Sequence, residues 1–323
     1  MQLRDSEIWA KEGFTIAWEQ FRLNKVQPCI TLPMPATNPA LLQETDSIYF
    51  IKGDFFSVSI DRKTGMLSSY IVNNKELIKE PVRFNFRRVL TDNDKGWKVG
   101  EKMQIWQEAA NRYTMQQLQI ISTDKEKTII KGEYLFSDSK AVATVQHTIF
   151  TNGNIEIDYN IDIPKNLKLP NIPRIGLQFE IEKELQNIDW YGRGPHENYI
   201  DREAGAAIGT YHSDINKWIT PYVQPQENAN RGDIRWLRFS YGTHQLQFSA
   251  LEKPFSASAW PYSQTMLEQS NHNFELRPHS NTILNIDCIQ MGVGGDCSWG
   301  LPVLQKYQIK PGNYQYKLKI SAK

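Results

Sequence analysis

The residues most suited to chemistry fall in four polar segments, and one of them surrounds a tryptophan with glycine. Residues 291–300 read MGVGGDCSWG, which places four glycines around Asp296, Cys297 and Trp299. Glycine serves where φ is positive or where another group comes close to the main chain. The segment therefore predicts a loop that displays Trp299, either as a platform for a ligand ring or as a core or lid residue. A dinucleotide-binding loop is not predicted, because Cys297 replaces the last glycine of G-x-G-x-x-G.

A second polar segment, WYGRGPHENYIDR at residues 190–202, crowds charged and amide groups into a loop marked by glycine and proline. Its candidate contact residues are Arg193, His196, Glu197 and Asn198. A histidine beside a glutamate can exchange protons with a substrate. Adjacent side chains of an extended chain point to opposite sides, however. A hydrogen-bonded loop corner is therefore favoured over catalysis, and a contribution to binding stays open.

The other two segments are residues 87–97 and 220–236. They contain carboxylates, which could serve as metal ligands. Asp92 and Asp94 in RRVLTDNDKGW have the spacing that begins an EF-hand loop, but the twelfth position is Met103 instead of glutamate. Asp and Asn also stabilise turns without a metal. The residues of the last segment that could bind a ligand are Glu227, Asn228, Arg231 and Asp233. We predict hydrogen-bonded loops here and no metal site in the chain.

The elements that position these loops are predicted to be strands. IEIDYNIDI at residues 155–163 alternates apolar and polar residues, the pattern of a half-buried strand. The preceding Asn152-Gly153 predicts a type I′ hairpin with residues 143–150. One helix is predicted at residues 101–113. Mostly antiparallel strand is expected from about residue 46 to 320, in two sheets, which makes the chain all-β.

The composition limits which partners and which cellular compartments we expect for this protein. The 323 residues are 40% hydrophobic with a formal net charge of +1, so neither nucleic acid nor an anionic membrane is expected as a partner. No apolar run has the length of a membrane span. The first residues lack the apolar stretch of a signal peptide, so we expect a soluble protein, cytoplasmic or periplasmic. Three widely spaced cysteines predict neither a disulfide framework nor a zinc site.

Five collinear segments resemble the C-terminal part of the long bacterial β-galactosidases of glycoside hydrolase family 2. They extend from near the start of the chain to near its end, so the resemblance covers almost all of it. The matching segments are IAWEQFRL (16–23), RRVLTDNDKG (87–96), WYGRGPHENYIDR (190–202), TPYVQPQEN (220–228) and LNIDCIQMGVGGDCSW (284–299).

This resemblance implies a fold and a domain division. Residues 37–323 would form a supersandwich of two large antiparallel sheets, of the galactose-mutarotase-like type. Residues 1–36 would be the closing strand of a preceding immunoglobulin-like domain plus a linker. The parent protein would be a homo-oligomer that hydrolyses terminal β-D-galactosides such as lactose, and the catalytic barrel of the same polypeptide would be the partner of this domain.

The resemblance also implies a site. Trp299 matches the tryptophan that reaches the active-site mouth and stacks on the substrate, and Asp296, Arg193, His196, Glu197 and Asn198 are candidates around it. The catalytic glutamates and the Mg²⁺ ligands of the family lie in parts absent here, as does any Na⁺ site. The chain itself is therefore expected to hold no catalytic residue and no cofactor, and to be inactive alone.

The sequence departs from the family at Leu90, His196, Gln224 and Cys297, and the change at Gln224 puts a peripheral sodium site of some relatives in doubt. Two other functions remain open. An aldose 1-epimerase on the same fold would need a histidine and a carboxylate that converge, and a stand-alone carbohydrate-binding module would bind galactose or lactose by itself.

Overall fold

The computed structural model describes residues 1–21, 38–294 and 300–323. The chain divides into two compact units, Met1–Thr31 and Leu32–Lys323. In the first unit, residues 1–21 contain one isolated β-bridge, between Gln2 and Thr15. The assignment of residues 1–36 to an immunoglobulin-like strand and linker stays a prediction, and residues 22–37 lie outside the described part.

Strands make up most of the regular secondary structure of the second unit. In chain order the described strands are β1 Leu41–Glu44, β2 Ile48–Lys52, β3 Phe56–Asp61, β4 Leu67–Val72, β5 Lys75–Ile78, β6 Arg83–Asn85, β7 Tyr113–Thr123, β8 Lys127–Phe136, β9 Ala141–Phe150, β10 Ile155–Asp162, β11 Arg174–Ile181, β12 Asn187–Gly194, β13 Ala207–Asp214, β14 Arg231–Ile234, β15 Trp236–Tyr241, β16 His244–Ala250, β17 Phe255–Trp260, β18 Thr282–Gln290 and β19 Asn313–Ala322. The described helices are α1 Asp92–Gly96, α2 Val99–Lys102, α3 Gln104–Ala109, α4 Ile215–Trp218 and α5 Gln264–Gln269.

Two antiparallel sheets account for all of these strands. The first has ten described strands in the order β1-β2-β3-β4-β5-β11-β18-β17-β14, with β6 paired to β11. The second has nine described strands in the order β13-β12-β15-β16-β19-β10-β9-β8-β7. This arrangement confirms the predicted all-β fold with two large antiparallel sheets. The helices are short, and none among the described residues is long and apolar enough to cross a membrane.

The alternating pattern of residues 155–163 predicts burial correctly. Ile155, Ile157, Tyr159 and Ile161 are each at most 1% exposed, and β10 pairs with β9 and β19. The turn type was predicted wrongly, because Gly153 has a positive φ of 80° and Asn152 is not in that region. The Phe150 amide donates to the Asn154 carbonyl, which leaves a loop of three residues at 151–153, and the Gly153 amide donates to the Phe150 carbonyl. A three-residue loop of this kind needs only one residue with positive φ.

Phe84 joins the two sheets through a cluster of aromatic rings. It belongs to β6 in the ten-stranded sheet and is 2% exposed. Its ring centroid lies 4.9 Å from Tyr134 and 5.1 Å from Phe136, both on β8 of the other sheet, and 5.6 Å from Tyr159 on β10. The edge-to-face geometry with β8 is the favourable one for aromatic pairs. Aromatic rings from both sheets therefore pack against each other in the core at this point.

The predicted helix at residues 101–113 is confirmed in a shorter form. It corresponds to the end of α2 and to α3, in which Trp106 and Ala109 are buried. Trp106 Nε1 donates to the Pro170 carbonyl at 3.1 Å. Tyr113, which was expected on the same helical face, begins β7 instead.

Replacing Phe84 with alanine should lower the free energy of unfolding by about 3–5 kcal/mol, because the cavity would open between the two sheets. Phe274→Ala is the control, since Phe274 is 75% exposed and should change stability by no more than about 0.5 kcal/mol. Urea denaturation of both variants measures the difference. Equal losses would show that Phe84 does not join the sheets.

Candidate functional site

The segment that follows β18 is held at its base by Arg88. The Nη1 atom of Arg88 donates to the Met291 carbonyl at 2.6 Å, and Nη2 donates to the Gly292 carbonyl at 2.8 Å. Asn93 Nδ2 donates to the Val293 carbonyl at 3.0 Å. Three successive carbonyls are thus bound by side chains from residues 87–97, so two of the polar segments of the sequence meet here.

Close approach explains the glycines of this base. The Gly294 amide donates to Asp201 Oδ2 at 2.7 Å, and a Cβ at Gly292 would lie 2.5 Å from the same oxygen. On the far side of the segment, a Cβ at Gly300 would lie 2.6 Å from the Gly96 carbonyl oxygen. Both described ends of the segment are therefore packed against polar groups of the domain. Residues 295–299 lie outside the described part, and with them the predicted site residues Asp296 and Trp299.

Arg88 is itself fixed by a buried ion pair with Asp94. Arg88 Nε and Nη2 contact the two carboxylate oxygens of Asp94 at 2.9 and 2.8 Å, and the two side chains are 0% and 1% exposed. Asp94 Oδ2 also accepts from the Thr91 amide at 3.1 Å, which caps α1. Asp94 is thus a counter-ion and a helix cap. No group of three or more potential metal ligands occurs among the described residues.

A second buried ionic group joins β11 and β18 to segment 220–236, and it consists of two carboxylates and one guanidinium. Arg174 Nη2 lies 2.8 Å from Glu227 Oε1, and Arg174 Nε lies 3.0 Å from Asp287 Oδ2. All three side chains are 0% exposed. Gln290 Nε2 donates to Glu227 Oε1 at 3.0 Å, next to the start of the loop.

The charges of this group do not balance unless a proton is bound. Burial raises the pKa of Asp287 to about 7, and Arg174 opposes this shift while Glu227 adds to it. Burial also raises the pKa of Glu227, against the attraction of Arg174. One guanidinium cannot compensate two buried carboxylates, because each uncompensated charge carries a large desolvation cost. The Asp287 carboxyl therefore holds a proton at mildly acidic pH.

The predicted contact residues of segment 190–202 divide into two sets. Arg193 is bound locally, with Nε 2.6 Å from Asp233 Oδ2. Asn198 is fully buried, and its Oδ1 accepts from the Gly232 amide at 2.8 Å. His196 and Glu197 instead line one cavity of about 280 Å³. No hydrogen bond joins these two side chains in the described structure, because Glu197 binds Arg202, Tyr222 and the Ala229 amide instead, so the expectation that they do not converge on one atom stays a prediction.

Glu197 is engaged on both of its carboxylate oxygens. Oε1 contacts Arg202 and the Tyr222 hydroxyl, and Oε2 accepts from the Ala229 amide at 2.8 Å. Glu197 thereby ties segment 190–202 to segment 220–236. The latter also reaches α1, because Gln226 Nε2 donates to Asp92 Oδ2 at 3.0 Å and Gln226 Oε1 accepts from the Asp92 amide at 3.1 Å.

Sequence reasoning missed Arg174 and Asp287, which form the buried ionic group with Glu227. Both stand in strands, β11 and β18, most of whose residues are buried. A charged residue in such a strand is seldom buried without a partner. That rule could have indicated a pair, but it could not have identified which two strands supply it.

The comparisons with known proteins agree with this architecture. A galactose 1-epimerase from Lactobacillus acidophilus NCFM superimposes with a TM-score of 0.50 over 90% of this chain and 99% of its own, at 9% identity. At that identity the likeness concerns the fold alone. The fold is the galactose-mutarotase-like supersandwich, as predicted.

The family follows from the sequence. The profile of the family described as "Beta galactosidase small chain" matches residues 52–320. A β-galactosidase from Priestia megaterium is 30% identical over 93% of this chain, and one from Streptococcus thermophilus is 32% identical over 98%. This chain covers 28% and 31% of those two proteins. The chain belongs to the β-galactosidase small-chain family, and it spans less than a third of the relatives it matches.

Removing the Asp94 carboxylate should be costly, because Arg88 would be left as a buried charge without its counter-ion. We expect Asp94→Ala to lower the free energy of unfolding by about 3–5 kcal/mol. Glu101→Ala is the control, since that carboxylate is 76% exposed and lies 3.9 Å from Lys98, and its loss should cost about 0.5 kcal/mol or less. Urea denaturation distinguishes the two, and a cost below about 1 kcal/mol for Asp94→Ala would contradict the role given to the pair.

The proton on Asp287 should appear in the pH dependence of stability. Its folded pKa of about 7 lies above the unfolded value of about 3.9, so the folded state binds the extra proton. This contribution is complete below pH 4 and is lost as the pH rises to 7, with a slope of up to about 1.4 kcal/mol per pH unit. Asp287→Asn should remove that slope, whereas Asp162→Asn, at an exposed position, should keep it. Unfolding measured from pH 4.5 to 8 tests this, and identical slopes for Asp287→Asn and wild type would refute it.

Proposed function

We propose that this chain is the non-catalytic C-terminal domain of a β-galactosidase, and that its loop 291–300 carries Trp299 to the mouth of the active site, where the indole stacks on the galactoside. The observation that carries the proposal is the anchored base of that loop. Met291, Gly292 and Val293 are bound through their carbonyls, and Gly294 through its amide.

An anchored base suits a residue that must reach another domain. A stacking indole contributes only if its ring is held in place, because ordering a free loop on binding would oppose the gain. Here the main chain is fixed up to Gly294 by Arg88, Asn93 and Asp201, and it is packed again at Gly300. The family resemblance at Trp299 supplies the residue, and this geometry supports its use.

Stacking on tryptophan also suits the proposed substrate. One face of galactose presents C–H groups, and an indole offers a large apolar surface with a negative face. The resemblance assigns hydrolysis to carboxylates elsewhere in the parent, together with Mg²⁺ and, in some relatives, Na⁺. The buried carboxylates of this chain support that division of labour, because Asp94 and Glu227 already bind arginines.

The partners of the domain are proposed on the same ground. The relatives are more than three times as long as this chain, so most of each relative lies outside the matched region. We expect the domain to pack against the catalytic barrel of its own polypeptide and to take part in a homo-oligomer. The 323-residue chain alone should therefore neither hydrolyse a nitrophenyl galactoside nor interconvert the anomers of galactose.

Trp299→Ala should weaken substrate binding in a β-galactosidase that carries this chain as its C-terminal domain. Loss of a stacking contact of about 1–3 kcal/mol predicts a Michaelis constant about five- to 150-fold higher. The effect on kcat should be smaller, because stacking on a ring that does not react is largely uniform binding. Steady-state kinetics on lactose and on a nitrophenyl galactoside provide the measurement.

The matched variant is Trp299→Phe, which keeps an aromatic face and should recover most of the affinity. Thermal denaturation of both variants separates the site from the core interpretation. A melting temperature lowered by many degrees with an unchanged Michaelis constant would mean that Trp299 is structural. Galactoside hydrolysis by the pure 323-residue chain would refute the non-catalytic assignment.

A further inference from the structure

A cavity of about 280 Å³ lies where segments 190–202 and 220–236 meet, beside α4. We call it the Arg231 cavity. Its volume is near the lower end of the range for ligand pockets, which suits a small molecule. The lining residues that matter here are His196, Glu197, Ser213, Lys217, Thr220 and Arg231.

Arg231 brings a buried charge to the wall of this cavity. Arg231 is only 3% exposed. Its planar guanidinium lies over the Trp218 ring, with Cζ 4.2 Å from the ring centroid. Nη1 donates to the Trp218 and Ala229 carbonyls at 2.8 and 2.9 Å, and Nη2 donates to the Pro195 carbonyl at 3.2 Å. Nε has no hydrogen-bond partner within the described residues. All of these acceptors are uncharged.

The carboxylates around the cavity are already paired with other cations. Glu197 contacts Arg202, and in the part of the chain that the structure describes Arg231 forms no ion pair. The remaining neighbouring pairs are Asp233 with Arg193 at 2.6 Å, Asp214 with Lys217 at 3.1 Å, and Asp189 with Arg238 at 2.9 Å. Arg231 therefore has no counter-ion in direct contact among the described residues. Desolvation lowers its pKa to about 10, and the charge of Glu197 opposes that shift.

The residues that line the Arg231 cavity favour one class of anion over others. A guanidinium without a counter-ion in direct contact matches a single negative charge, and a carboxylate has the planar geometry that guanidinium N–H groups favour. A dianion would be repelled by Glu197, which lines the same cavity. The hydroxyls of Ser213 and Thr220 can bond to hydroxyl groups of a ligand. We propose that the Arg231 cavity binds a small monocarboxylate that carries hydroxyl groups, a hydroxy acid.

This proposal is independent of the galactoside function and of loop 291–300. The carboxylate could be supplied by a free hydroxy acid or by an acidic side chain from another part of a longer protein. We assign it to the free acid, since the cavity has room for more than a carboxylate group. The two sources give different results in the experiment below.

The experiment uses the 323-residue chain and sodium glycerate as the probe. At constant pH and ionic strength, glycerate should bind with a millimolar or lower Kd by titration calorimetry and should raise the melting temperature by roughly 2–5 °C at saturation. Sodium chloride at the same ionic strength should give no shift, and inorganic phosphate should bind at least tenfold more weakly. Arg231→Gln should weaken glycerate binding more than tenfold.

Arg231 also donates hydrogen bonds to three carbonyls, so its replacement can prevent folding. Two further variants keep the test valid in that case. Lys217→Gln changes an 81% exposed side chain on the cavity wall and should weaken glycerate binding about three- to tenfold. Lys98→Gln, at a 65% exposed side chain on the N-terminal flank of α2, should leave the Kd unchanged. Both variants should keep the wild-type melting temperature in the absence of glycerate.

The results distinguish the two sources of the carboxylate, and three of them would overturn the site. Equal Kd values for this chain and for a longer β-galactosidase that contains it support a free acid. Binding to the chain alone assigns the carboxylate to a side chain of the longer protein and overturns the free-acid assignment. No glycerate binding, phosphate binding tighter than glycerate, or an equal Kd in a folded Arg231→Gln or in Lys217→Gln overturns the site.

Discussion

The burial of ionised side chains is the constraint on which the site depends. Arg88 and Arg174 are 0% exposed, and a buried guanidinium is costly unless anions or carbonyls bind it. Those partners come from segments far apart in the sequence: Asp94, Glu227, Asp287, and the carbonyls of Met291 and Gly292. The segments must therefore occupy their native positions together, since displacing any of them would leave a charge unpaired in the interior.

The β-sandwich supplies the rigid frame that this arrangement needs. β11 and β18 are neighbours in the ten-stranded sheet, and they carry Arg174 and Asp287 respectively. Helix α1 brings Asp94 and Asn93 to the end of β18, where the chain leaves the sheet. The geometry of the loop base is thus set by regular elements, although the loop itself is rich in glycine. Sites on regular elements are held more firmly than sites on loops.

The sequence pattern predicted those structural features that depend only on residues close together in the chain. The alternation of residues 155–163 fixed the buried face of β10, but the turn before it was misjudged, because composition does not reveal the length of the loop. Conversely, Asn73 and Asn74, with φ of 50° and 64°, form the two-residue turn between β4 and β5 without an obvious glycine signal. The Arg174–Asp287 contact could not be predicted, since it depends on which strands become neighbours. The positions of Asp296 and Trp299 lie outside the described residues.

The contact of Asp201 with the loop base constrains how relatives of this protein can diverge. The space that a side chain at position 292 would need is filled by the Asp201 carboxylate. A substitution at either position therefore changes what the other can accept: a larger residue at 292 requires a smaller one at 201, and the smaller one no longer binds the Gly294 amide. Positions 201 and 292 are therefore sterically coupled, because a larger residue at 292 alone would clash with Asp201, and a smaller residue at 201 alone would leave the Gly294 amide without this acceptor.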